Sequence, residues 1–155
     1  MSEDKSGEFG IDVPGYGVVD LATFGIDEEQ ILDELSEHAG FYAFWYSQEN
    51  MAYRVYQEER LQTKIIRATR HKYYRSVYDW SEDYDKRPTN DDVKALVESD
   101  EEVIKVEEAL IQARFKYQQI RAVREALQQR KDMLNSVSGI KRTEMTFGQR
   151  GGTVT

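Results

Sequence analysis

Residues 60–80, "RLQTKIIRATRHKYYRSVYDW", place Arg60, Lys64, Arg67, His71 and Arg75 at steps of four, three, four and four, with Arg70 and Lys72 beside them. On a helix this spacing draws the cations into one stripe. The rise is about 6 Å per step, which is of the order of the phosphate spacing of a stretched single strand. Each phosphate neutralised by such a row releases counterions, so the binding would depend on salt. Tyr73, Tyr74, Tyr78 and Trp80 lie among and after the cations. Stacked on bases, aromatic rings of this kind are worth roughly 1–3 kcal/mol each and tolerate any sequence. A second basic set, Arg114, Arg121, Arg124 and Lys131 with Lys116 and Arg130 nearby, has two readings. It either continues the polyanion surface or flanks a helix seam, paired with glutamates.

Other chemistry is poorly represented. Cysteine is absent, which excludes disulfides and thiolate chemistry. His38 and His71 are too few for most metal sites, and the Glu34–His38 pair lacks the E-x-x-H spacing of di-iron bundles. The carboxylates fall in runs such as "DEEQ" and "SDEE", which suit helix caps and solvated faces. No phosphate-binding glycine loop and no nucleophile constellation is present. The sequence therefore reads as non-enzymatic, with no cofactor and no metal.

The net charge of −8 is unevenly distributed. Residues 1–39 hold one Lys against eleven Asp and Glu, whereas residues 40–78 hold seven Lys and Arg against three acids. Residues 79–108 are again acidic, with twelve acids against four cations, and residues 109–155 basic, with nine cations against three acids. Local fields decide which polyanion can approach, because salt screens charges beyond roughly 10 Å. The acidic start lacks the apolar stretch of a signal peptide, and the longest apolar run, "FYAFWY", is too short to span a bilayer. The expectation is a soluble intracellular protein with no membrane partner.

The elements that position the cations are predicted to be helices. Residues 1–26 carry five of the ten glycines and one of the two prolines, and read as a flexible acidic arm. Asp27 and Gln30 form a capping box at the start of a helical domain spanning 27–138. From Phe41 to Tyr78 no proline or glycine interrupts a long helix, with an inward stripe through Phe41, Phe44/Trp45, Ala52, Val55, Gln62, Ile65/Ile66, Thr69 and Tyr73. Pro88 breaks the chain, Thr89 with Asp92 caps a short helix, and Ser99 with Glu102 caps another long one. That last helix carries a clear stripe: Val103, Val106, Leu110, Ala113, Tyr117, Ile120, Val123, Leu127, Leu134 and Val137. Gly139 is predicted to end it, leaving 139–155 as a disordered tail. The fold class is all-α: a long antiparallel helical hairpin with extra short helices, flexible tails and a tendency to oligomerise. The narrow seam and the surplus rings of "FYAFWY" point to subunit contacts. Phe41, Phe44, Trp45, Val103, Val106, Leu110, Tyr117, Ile120 and Leu127 are the expected interface.

Three segments together resemble the phage recombination mediators of the UvsY type. "VESDEEVIKVEEAL", residues 97–110, is similar to that family's "SADKDVLKV", with Asp100, Val103, Lys105 and Val106 on matching positions. "IRATRHKYYRS" is similar to "LKARLDYYSG", with Arg70, Tyr73 and Tyr74 matching. "FYAFWYSQEN" stands where the family has a segment like "LYSKW". The resemblance spans about residues 30–135. It implies a non-enzymatic accessory protein of a phage, acting in the bacterial host cytoplasm. Such a protein forms ring-like homo-oligomers of helical hairpins, binds single-stranded DNA, and helps a recombinase displace single-strand-binding protein and assemble its filament. The family's DNA-contacting Arg corresponds to Arg70, while Ala68 stands at its Lys, with Arg67 or Lys72 close by. The expected contact set is Arg60, Lys64, Arg67, Arg70, Lys72, Tyr73, Tyr74 and Arg75. Two rivals use the same helices differently: a phage structural or assembly chaperone acting only through protein contacts, and an acidic DNA mimic.

Overall fold

A computed structural model describes residues 10–20, 31–78 and 88–150. Two strands, β1 (Gly10–Val13) and β2 (Gly17–Asp20), precede three helices: α1 (Ile31–Ser76), α2 (Asn90–Ser99) and α3 (Glu101–Arg150). The predicted cap at Asp27 and the break at "SEDYDKR" lie outside the described residues. Among the described residues no helix is long and apolar enough to cross a membrane. The chain divides into two compact units, Met1–Asn50 with Gln118–Thr155, and Met51–Tyr117.

In the first unit β1 and β2 pair antiparallel within the predicted arm. Pro14 and Gly15 occupy the centre of a type II turn: Gly15 has φ 88° and the Tyr16 amide donates to the Val13 carbonyl at 2.9 Å. Tyr16 then lies over α1, its ring centroid 5.4 Å from Trp45 and 6.3 Å from Phe44, and its hydroxyl donates to Gln48. Trp45 is buried, as are Val13, Ile120, Val123, Leu127 and Leu134. Arg130 pairs with Glu34 at 2.8 Å and Arg124 pairs with Glu49, so α1 and α3 run antiparallel here. His38 is buried with neither ring nitrogen hydrogen-bonded. Burial, reinforced by Arg130 and Lys131, pushes its pKa down and keeps it neutral.

In the second unit α1 and α3 are also antiparallel. Tyr56 stacks on Tyr117 at 6.0 Å, and Thr63 Oγ1 lies 3.2 Å from the Val106 carbonyl. α2 closes this unit: Val93 and Val97 pack with Val103 into a buried cluster, against which Ile66 and Tyr74 rest. Burying a valine or isoleucine side chain of this kind contributes about 1.5–3 kcal/mol. The Thr89–Asp92 capping box starts α2 as predicted, with the Thr89 amide donating to Asp92 Oδ2 at 2.8 Å.

Three expectations change on the structure. The α3 cap is Asp100, not Ser99: Asp100 Oδ1 accepts from the amides of Glu102 and Val103 at 2.9 and 3.3 Å. The Ser99 hydroxyl is already engaged, donating to the Leu96 carbonyl of α2. α3 also continues through Gly139 to Arg150. A lone glycine costs a helix only about 1 kcal/mol relative to alanine, and the good helix formers Lys141, Arg142, Glu144 and Met145 follow with no proline. Finally, the predicted inward stripe of α1 holds at Trp45, Ala52 and Ile66 but not at Phe41, Phe44, Val55, Ile65 and Tyr73, which are exposed. The observed row runs through His38, Trp45, Ala52, Thr63 and Tyr74.

Candidate nucleic-acid interface

The cations from Arg60 to Arg75 all lie on the second-unit part of α1, and packing divides them into two sets. Arg60, Lys64, His71, Lys72 and Arg75 are exposed. Arg60 and Lys64, one turn apart, line a shallow surface groove with Gln57 and Leu61. Arg60, Lys64 and Lys72 take part in no ion pair among the described residues. Arg75 donates to the Asn90 side chain at 3.1 Å, which ties the end of α1 to the start of α2.

Arg67 and Arg70 turn toward the other helices and are half-buried. Arg67 Nη1 pairs with Glu107 on α3, and its Nη2 lies 3.9 Å from Glu98 on α2. Arg70 sits 3.3 Å from Asp100 and 2.6 Å from Glu102. Its guanidinium also lies 5.7 Å from the ring centre of Tyr73. Tyr74 donates its hydroxyl to Asp100 Oδ2 at 2.7 Å. That hydrogen bond, with burial and the negative charge, pushes the Tyr74 pKa up to about 12. Burial pushes the Asp100 carboxyl up. The Tyr74 hydroxyl, the Val103 and Glu102 amides and Arg70 together outweigh that and hold it below its ordinary value. Of the two tyrosines, only Tyr73 presents an open ring. Trp80 lies outside the described residues.

Half of the second basic set is occupied: Arg114, Lys116 and Lys131 join no ion pair among the described residues. Arg124 and Arg130 pair with Glu49 and Glu34 across the first unit, and Arg121 pairs with Glu125 along α3 at 2.8 Å. Arg124 and Arg130 follow the seam-flanking pattern. Among the described residues no group of three potential ligands could hold a metal ion.

The expected interface residues also divide. Trp45, Val103, Ile120 and Leu127 are buried in the chain's own packing, and Val106, Leu110 and Tyr117 are half-buried. Phe41 and Phe44 remain open.

A family model described as "Recombination, repair and ssDNA binding protein UvsY" matches residues 22–144. The chain belongs to the UvsY family. Recombination, repair and single-stranded-DNA binding are therefore its family context. No curated protein and no solved structure matches the chain. The UvsY match contains the described part of α1, all of α2 and α3 as far as residue 144, and hence every cation of the basic stretch. The β1–β2 hairpin lies outside the UvsY match.

Sequence reasoning missed the carboxylates that pair with the basic stretch: Glu98, Asp100, Glu102 and Glu107. "SDEE" carries a capping signal, and Asp100 does cap α3. Nothing local in it announces that the same carboxylates also meet arginines some 30 to 40 residues earlier in the chain.

Proposed function

We propose that this chain is a non-enzymatic recombination mediator that holds single-stranded DNA along α1 and promotes assembly of a recombinase filament over single-strand-binding protein. The observation that carries the reading is the exposed row Arg60, Lys64 and Lys72, with no ion-pair partner among the described residues, in a chain of net charge −8. An acidic protein that leaves these cations uncompensated on one face offers phosphates a local positive field. Arg75 extends the row and Tyr73 supplies a stacking ring; Arg67, Arg70 and Tyr74 form its inner edge. No base edge is read, so binding is sequence-tolerant.

Association into a ring-like homo-oligomer would repeat this row around the assembly. The second apolar row of α1 supports it: Phe41, Phe44, Met51, Val55 and Ile65 follow steps of three, seven, four and ten, and each has 44–56% of its surface exposed. An exposed row at that period is what a neighbouring helix packs against.

The test is fluorescence anisotropy of a labelled oligo(dT) titrated with the wild-type protein at several salt concentrations. A linear fall of log affinity with log salt, unchanged for oligonucleotides of mixed sequence, is the expected result. Binding that ignores salt, or no binding at all, contradicts the reading and favours a role through protein contacts alone.

A further inference from the structure

The two inner arginines are held unequally. Arg70 has two partners: Glu102 at 2.6 Å, whose side chain is 61% exposed, and Asp100 at 3.3 Å, which is only 6% exposed and is fixed by the α3 cap amides and the Tyr74 hydroxyl. Arg67, by contrast, has no buried partner. The Glu107 side chain is 36% exposed and that of Glu98 53%, and both are long, rotatable side chains at the rim of the second unit. Exposed pairs of this kind contribute little to stability, because solvent and salt compete with them. A carboxylate presents two oxygens to a guanidinium much as a phosphodiester does. Lys64 stands one turn before Arg67 on the same helix, exposed and without an ion-pair partner among the described residues. A strand that follows Arg60 and Lys64 along α1 arrives next at Arg67, where Glu107 already sits.

We propose that Glu107, assisted by Glu98, is a built-in competitor for the strand: it occupies Arg67 in the free protein and yields it to a phosphate when single-stranded DNA binds. The proposal rests on the reading of α1 as the DNA-binding face. Because one anion replaces another, a phosphate reaches Arg67 only by displacing a carboxylate. The grip is therefore weaker and less salt-dependent than the number of cations implies. Arg70 keeps the buried Asp100 carboxylate beside it even where the exposed Glu102 swings away, so it does not exchange; it holds the α2–α3 junction and the Tyr73 ring in place. A protein that must load a strand and then release it to a filament becomes reversible through such a device.

The experiment is the oligo(dT) titration repeated with Glu107→Gln, whose amide oxygen can still accept a hydrogen bond from Arg67, and with Glu108→Gln as control. Glu108 is exposed on the next position of α3 and joins no ion pair among the described residues. Glu107→Gln is expected to tighten binding roughly threefold to tenfold and to steepen the salt slope by about 0.7, the value of one added phosphate contact on a single strand. Glu108→Gln is expected to leave the slope unchanged. In an Arg67→Gln background the Glu107→Gln effect should vanish. Glu107→Asp, which shortens the reach, should act in the same direction if the amide variant loses helicity. Equal effects of Glu107→Gln and Glu108→Gln, or weaker binding by Glu107→Gln, would overturn the competitor while leaving the DNA-binding face intact. Loss of salt-dependent binding in the wild-type arm of the same titration would instead remove that face, and the proposal with it.

Discussion

Replacing Arg60 and Lys64 together by glutamate is expected to lower affinity for oligo(dT) by about 10- to 100-fold at low salt and to reduce the salt slope by about 1.4, the equivalent of two single-strand phosphate contacts. Both side chains are exposed and unpaired among the described residues, so their reversal leaves no buried charge behind. Helicity and thermal stability should stay near wild type, since surface changes of this kind usually cost less than about 0.5 kcal/mol. Anisotropy checks the affinity, and circular dichroism of the same samples checks the fold. An unchanged slope would place the phosphates elsewhere on the chain. The same reversal at Arg121 should have little effect on binding, because that cation already pairs with Glu125 at 2.8 Å.

Asp100→Ala is expected to be the most destabilising single substitution in the second unit. The side chain performs three tasks at once. It caps α3, accepts the Tyr74 hydroxyl and lies beside Arg70. Loss of a cap costs about 1 kcal/mol. Leaving a half-buried guanidinium and a hydroxyl short of their acceptor adds about 1–3 kcal/mol. Chemical denaturation should therefore report a loss of about 2–4 kcal/mol, read as a lower midpoint at unchanged slope. The pH dependence follows the same group. Its folded pKa lies below the unfolded value of 3.8, so its contribution is present above that value and is lost as pH falls through the lower folded pKa. The variant should lack this acid-side component. A midpoint within a few tenths of a kcal/mol of wild type would show that Arg70 and Tyr74 find other partners.

The legible parts of the fold were those set by local chemistry. The α3 stripe from Val103 to Leu134 is a period that only one face can satisfy, and its members are buried or half-buried. The Thr89–Asp92 box is complete within four residues. α1 was harder because two apolar rows lie one residue apart on it. Trp45 and Ala52 belong to the buried row, and Phe44, Met51 and Val55 to the exposed one. Spacings of three and four cannot say which row meets α3; that depends on the partner helix. The same holds for the site. The exposure of Arg60 and Lys64 follows from their place beside the seam. The capture of Arg67 by Glu107 joins residues 40 apart and depends on the register of two helices. Gly139 failed as a stop because no proline or left-handed turn accompanied it.

The most direct measurement captures the strand on the side chains that hold it. An oligo(dT) carrying one abasic aldehyde forms an imine with any lysine amine within reach, and borohydride reduction fixes the adduct for peptide mapping. Adducts are expected on Lys64 and Lys72 of α1, and they should decrease as salt is raised. Adducts confined to Lys131 and Lys141 of α3, with α1 unmodified, would contradict the account.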